Sequence, residues 1–292
     1  MQAVQARTRI TLKNILFATD FSAASDAAVP IAIQITRRYG AKIFGVHVNA
    51  SDAYLATAPE AWTAMAETAE RAAKEAAGRL NEQLQGIEHE VVIGEGKIWD
   101  VLSDLIKQKE IDLVVLGTRG RTGFGKALLG SVAEQILRQS PCPVLTVGPH
   151  VNLWSEEYAK MREILYATDL AADFPMAAPY AVSLAQENQA HLVLLHVIED
   201  SKARDLVDSA EVVNVKERKL QQLVTQQAGL WCDPTYIVEQ GPAAEKILDV
   251  GRHTDLIVLG ARPAKGLATH LNIGTVHKVV SQATCPVLTV RS

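Results

Sequence analysis

Short apolar runs alternate along the chain with longer segments whose apolar residues recur at helical spacing. In the first half, Ile15 to Thr19, Lys42 to Val48, Glu88 to Ile93, Ile111 to Leu116 and Pro143 to Val147 read as strands. The run from Ile111 is rich in Val and short, as expected of a strand buried on both faces. Between these runs lie helical patterns. Ser22 can cap a helix running to Tyr39, with Pro30 inside it; Arg37 and Arg38 suit its C-terminal dipole, and Gly40 can end it in a left-handed turn. Residues 59–85 are rich in Ala, Glu and Arg with few breakers and predict a long helix. Ile98, Val101, Leu102, Leu105 and Ile106 share one helical face. Strands that alternate with helices imply a parallel sheet covered on both faces.

The pattern is then repeated. KNILFATD (13–20) matches REILYATD (162–169), and GAKIFGVHV (40–48) matches QAHLVLLHV (189–197). IDLVVLG (111–117) matches TDLIVLG (254–260), and PCPVLTV (141–147) matches TCPVLTV (284–290). Pro30 and Pro179 hold equivalent places. Four matching blocks in one order indicate a tandem duplication. In the second copy, helices are expected at about 174–188, 208–228, 243–252 and 275–282. The join falls near 148–161, where a linker or a short helix would serve. The expected domains are therefore 1–150 and 160–292, each an α/β, doubly wound, five-stranded parallel sheet flanked by helices.

Chemistry concentrates at 111–139. The strand is followed by a loop carrying Gly117, Gly120, Gly123, Gly125 and Gly130, and then by a helix from Val132 to Leu137, with Ser131 at the expected N-cap. Glycines let a backbone approach a ligand closely. The first N–H groups of a helix have no internal partners and point outward. Arg119, Arg121 and Lys126 add positive charge, and the combination describes a phosphate site. Two better-known loops are excluded. Gly120 to Lys126 begins like a Walker A motif, but Ala127 stands where a Ser or Thr hydroxyl would hold magnesium, and no three glycines are spaced GxGxxG. In doubly wound sheets ligands bind beyond the C-terminal strand ends, where the strand order reverses. Asp20, Val48 and Gly117 end their strands at that edge.

Composition narrows the class. The 292 residues are 48% hydrophobic, enough for sizeable cores, and the net charge of −4 argues against a general nucleic-acid binder. No run approaches the roughly 18–20 apolar residues needed to span a membrane. No apolar h-region follows the N-terminus, so a cytoplasmic protein is expected. Cys142, Cys232 and Cys285 form no CxxC pair and suggest neither a disulfide framework nor a zinc site.

The spacing Gly117-x2-Gly120-x9-Gly130-Ser131 resembles the ATP-binding signature of the universal stress protein family, and both copies resemble complete domains of it. The resemblance implies an adenine nucleotide alpha hydrolase-like fold and ATP as ligand, with Mg²⁺ or Mn²⁺ held through the phosphates. It implies that Asp20 lies near adenine and ribose, that Ala18 lines the same pocket, and that the Val48 backbone meets the adenine. Gly117, Thr118, Arg119, Gly120, Arg121 and Thr122 match the loop around the phosphates; Gly130, Ser131 and Val132 match the segment that grips the phosphate tail. It further implies that the halves pack as a pseudo-dimer, with Val144 to Val147 and Val287 to Val290 as candidate edges, and leaves a homodimer of chains open. The role it implies is a nucleotide-linked regulator of stress adaptation acting on a protein partner.

Each of these residues has a plainer reading. Asp20 can be a helix N-cap, Ser131 likewise, and the two arginines solvated loop charges. His47 and His196, at equivalent positions, read as core or rim histidines rather than catalysts, and Cys142 and Cys285 as small buried residues. The helix with Trp62 and Met65 reads as a cover for a sheet or pocket. In the second copy Pro263 replaces the second glycine, and Gly274-Thr275 come one residue later than Gly130-Ser131 would place them. Proline supplies no N–H, and an insertion would displace the helix start, so weak or absent ATP binding is expected there. Two alternatives stand beside the regulator. One is a slow ATPase or phosphotransferase, although no GxSxG, HExxH, Walker pair or SGGxDS-type loop is present and Asp20 is the one carboxylate placed near the phosphates. The other is a nucleotide-independent scaffold or apolar-ligand protein, with 198–230 covering a groove.

Overall fold

A computed structural model describes residues 10–49, 59–118, 129–151, 161–170, 176–199, 209–225, 233–261 and 270–291. Its contacts divide the chain into two units. Thr11–Pro149 forms one. The other is built on His150–Ser292 and takes in Ile10, whose N–H donates to Ser183 Oγ at 2.8 Å.

In the first unit the strands are β1 (Asn14–Ala18), β2 (Lys42–Asn49), β3 (His89–Glu95), β4 (Leu113–Gly117) and β5 (Val144–Val147). They stand in the order β3-β2-β1-β4-β5, each pair parallel. The order reverses at β1, between β2 and β4. Ile15, Leu16 and Phe17 of β1 and Leu113 to Leu116 of β4 are buried, as strands with helices on both faces require.

The helices are α1 (Ala23–Asp26), α2 (Val29–Tyr39), α3 (Pro59–Gln83), α4 (Ile98–Gln108) and α5 (Ser131–Gln139). The helix expected from Ser22 to Tyr39 is two. Ser22 caps α1, which ends at Asp26, and Pro30 stands in the first turn of α2. Proline lacks the N–H that a continuous helix would send back one turn, and its ring collides with that carbonyl, so the chain restarts there. Gly40 ends α2 at φ 60°, as its sequence position suggested.

The second unit carries β6 (Glu163–Ala167), β7 (His191–Ile198), β8 (Thr235–Gln240), β9 (Leu256–Ala261) and β10 (Val287–Arg291), in the order β10-β9-β6-β7-β8, again parallel. Its helices are α6 (Ala178–Asn188), α7 (Ser209–Gln221), α8 (Ala243–Val250) and α9 (His270–Gln282), with a 3-10 turn over Gly251–His253. Two expectations are corrected here. The helix expected at 275–282 begins earlier, at His270, so Gly274 and Thr275 lie inside it rather than at its start. Nor is there an insertion over the segment as a whole, because Gly117 stands as far before Cys142 as Gly260 before Cys285.

Candidate functional site

The site expected from sequence lies where β1, β2 and β4 end. Ala18, half-buried, is the last residue of β1, and Thr19 follows it into a tight, hydrogen-bonded corner. Thr19 Oγ1 accepts the Phe21 N–H at 2.9 Å and lies 3.0 Å from Ser25 Oγ. Asp20 is not the helix N-cap. Its Oδ1 accepts the N–H of Ser22 at 3.0 Å, and Ser22 itself caps α1 in a reciprocal capping box with Ser25. Phe21 has φ 56°, an uncommon conformation for a bulky residue, and its ring packs against His47 with centroids 4.7 Å apart. Strain of this kind persists only where surrounding bonds over-determine it, and such places cluster at functional sites.

β2 brings Val48, half-buried, beside this corner. His47, one residue earlier, is 7% exposed, and its Nδ1–H donates to Thr19 O at 2.8 Å. It is a core histidine, in line with the plainer of its two readings.

β4 delivers Gly117 and Thr118. A Cβ on Gly117 would lie 2.8 Å from Ala24 O and 3.1 Å from Ser25 Cα, so glycine is needed here for α1 to pack across the strand end. That requirement is independent of any ligand. Thr118 is buried, and its N–H donates to Val147 O at 2.9 Å. Arg119, Gly120, Arg121 and Thr122 lie outside the described residues. The chain is described again from Leu129, and the Gly130 N–H donates to Thr118 O at 2.9 Å, bringing the two ends of the loop together.

Gly130, not Ser131, is the N-cap of α5: it is extended at φ −64°, ψ 145°, and its carbonyl accepts the Glu134 N–H at 2.9 Å. Ser131 is therefore the first helical residue and is exposed, with Val132 next. The N-cap is a glycine and makes no side-chain cap bond, so among the described residues the first-turn N–H groups, those of Ser131, Val132 and Ala133, are left without a side-chain cap. The Gly130 N–H, by contrast, is committed to Thr118.

The second unit repeats half of this arrangement. His196 Nδ1–H donates to Thr168 O at 2.9 Å, Thr168 Oγ1 accepts the Leu170 N–H at 3.2 Å, and Leu170 has φ 54°. Tyr166 replaces Phe17; its hydroxyl bonds the Thr168 side chain, and burial pushes its pKa up to about 12. Thus Thr168 finds within its own strand a hydroxyl partner that Thr19 finds in Ser25; Phe174, which matches Ser25, lies outside the described residues, as does Pro263. Cys285 is buried and its thiol is pushed up to about 11 by that burial; burial also raises Cys142. Both are protonated, poorly reactive thiols near neutral pH. Cys232 and most of 198–230 fall outside the described residues, and nothing of the Trp62 and Met65 side chains is described.

Residues 11–148 and again 160–291 match the model of the universal stress protein family. The chain belongs to the universal stress protein family. It is a tandem universal stress protein, one domain in each half. A universal stress protein of Mycolicibacterium smegmatis is 28% identical over 292 residues, covering 95% of this chain and 96% of that one. One from Methanocaldococcus jannaschii is 30% identical over 138 residues, 46% of this chain and 81% of its own. Among solved structures, a universal stress protein from Archaeoglobus fulgidus superposes with a TM-score of 0.70 at 20% identity, covering 97% of this chain and 98% of that one, which shows a shared fold.

Thr19 and Phe21 were not singled out from sequence, and His47 was read there only as a core or rim histidine. Their signal was present: the Thr and the His stand in both repeated blocks, ATD and HV. What was not visible is that they bond to each other.

Proposed function

We propose that the N-terminal domain of this universal stress protein binds ATP, and that occupancy biases its interaction with a protein partner during stress adaptation in the cytoplasm. The supporting observation is the start of α5, without a side-chain cap among the described residues, beside Thr118 at the strand edge where Asp20 and Val48 also lie. Outward N–H groups at a helix start favour an anion, and the dipole adds to that preference. In this reading the phosphates meet Ser131 and Val132 with Thr118, Arg119, Gly120, Arg121 and Thr122. The adenine lies against Ala18 and the Val48 backbone, with Asp20 toward the ribose. Gly117 and Gly130 act indirectly, Gly117 by admitting α1 and Gly130 by closing the loop.

Among the described residues no group of three or more His, Cys, Asp or Glu side chains stands together. In this reading a Mg²⁺ or Mn²⁺ ion is carried on the phosphates. No helix among the described residues is long and apolar enough to cross a membrane.

The test is calorimetric titration of Mg-ATP into the Gly120→Pro and Ser131→Leu variants, with circular dichroism to verify the fold. Both variants are expected to lose binding while remaining folded. Unchanged affinity in both would contradict the assignment of this loop.

A further inference from the structure

In a parallel sheet, the N–H and C=O of successive residues face alternate neighbours. On β2 the even-numbered residues serve β1: the Lys42 N–H donates to Lys13 O at 2.8 Å, and Val46 O accepts the Thr19 N–H at 2.9 Å. The odd-numbered residues serve β3: the Ile43 N–H donates to Glu88 O at 2.9 Å, and Asn49 O accepts the Gly96 N–H at 3.2 Å. Val48 therefore turns its N–H and C=O toward β1, one step past the last β1–β2 pair, Ala18 with Val46.

One more rung would send the Val48 N–H to Thr19 O and the Phe21 N–H to Val48 O. Both groups on the β1 side are diverted. Thr19 O accepts His47 Nδ1–H at 2.8 Å, and the Phe21 N–H goes to Thr19 Oγ1 at 2.9 Å. A carbonyl can only accept, so the His47 proton sits on Nδ1. Phe21, at positive φ and packed on the His47 ring, turns the chain away. Among the described residues the Val48 N–H and C=O have no partner.

The second copy repeats these hydrogen bonds and the positive φ. The His191 N–H donates to Arg162 O at 2.8 Å and Leu195 O accepts the Thr168 N–H at 3.0 Å, so Val197 faces β6 as Val48 faces β1. His196 takes Thr168 O, and Thr168 Oγ1 takes the Leu170 N–H. The copies differ in their loops and in the helix starts that follow, yet they keep this strand end in common.

We infer that His47 is a positioning residue: by occupying the Thr19 carbonyl it stops the β1–β2 ladder and holds the Val48 peptide edge open for a ligand. That edge offers one donor and one acceptor on one side of one residue. It suits a heterocycle that presents an acceptor beside a donor, such as the ring N1 and 6-amino group of adenine. The inference rests on the nucleotide reading above and deepens it by naming the group that keeps the base-reading edge free.

The experiment compares the wild-type chain with His47→Leu, His47→Asn and His196→Leu. Amide hydrogen exchange at Val46 and Val48 is followed together with Mg-ATP titration and thermal melting. In the wild type, Val48 is expected to exchange at least about tenfold faster than Val46 on the same strand. Leucine cannot donate, so in His47→Leu the Val48 amide gains protection and ATP affinity falls by about tenfold or more. An Asn carboxamide can donate in place of Nδ1–H, so His47→Asn keeps the fast Val48 amide and most of the affinity. His196→Leu should lower the melting temperature comparably while leaving ATP affinity in the first domain unchanged, which separates positioning from stability. A wild-type Val48 amide as protected as Val46, or full ATP affinity in His47→Leu, would overturn the inference. An open Val48 amide that closes in His47→Leu, in a chain that binds no ATP, would support the role of His47 and overturn the nucleotide assignment instead.

Discussion

Asp112 and Asp255 stand in the matching IDLVVLG and TDLIVLG blocks, and each ties down the start of a strand far away in sequence. Asp112 Oδ2 accepts the Lys13 N–H at 2.7 Å and the Asn14 N–H at 3.0 Å; Asp255 Oδ2 accepts those of Arg162 at 2.6 Å and Glu163 at 3.0 Å. Hydrogen bonds to a charged acceptor are stronger than neutral ones, so Asp112→Ala should cost about 1–3 kcal/mol of stability, read by denaturant unfolding. A loss no larger than that of an exposed surface substitution would contradict the clamp. The repeat revealed that these carboxylates recur. It could not reveal their partners, because spacing along one strand says nothing of which neighbouring strand begins beside it. A second residue contrast lies between Gly40, at φ 60°, and Gln189, which ends α6 in the same left-handed conformation at φ 52°. A side chain there crowds the following carbonyl. Gln189→Gly is therefore expected to stabilise the chain by about 0.5–1 kcal/mol, and a lower melting temperature would count against it.

At the scale of elements, the strands were legible to within a residue or two, because buried parallel strands are short apolar runs and β1, β4 and β9 are all of that kind. The helix ends were less legible where tertiary packing sets them. The break between α1 and α2 could have been read from Pro30, but the docking of α1 over Gly117 could not, since it depends on Ala24 O reaching the strand end. The cap of α5 shifted from Ser131 to Gly130 because the Gly130 N–H is drawn to Thr118, a contact between residues on either side of the loop. The start of α9 at His270 shows the same limit from the other side. A Gly-Thr pair looks like a helix start in sequence, yet here it is enclosed by a helix that began a turn earlier.

At the scale of the molecule, the duplication sets up an internal comparison. Both copies build the β1-type strand end with its Thr, Asp, positive-φ residue and His, while their helix starts after the glycine loop diverge. The strand end proposed to read the base is shared, whereas the proposed phosphate-binding helix start, α5 capped by Gly130, belongs to the first copy. In the second copy the strand-edge glycine, Gly260, is followed by Pro263, which removes a donor from the loop. The duplication was legible from four repeated blocks, and the family from the spacing Gly117-x2-Gly120-x9-Gly130-Ser131. The proposed division of labour between the copies rests on Pro263 and on the Gly-Thr pair, which lies inside a longer helix rather than at its start. The central claim, one working nucleotide site in a two-domain chain, is tested most directly by stoichiometry. Nucleotide released from the denatured, purified protein is counted, and the emptied chain is titrated calorimetrically with Mg-ATP. About one ATP per chain is expected, set by the single unaltered loop. Two equivalent sites, or none, would contradict it.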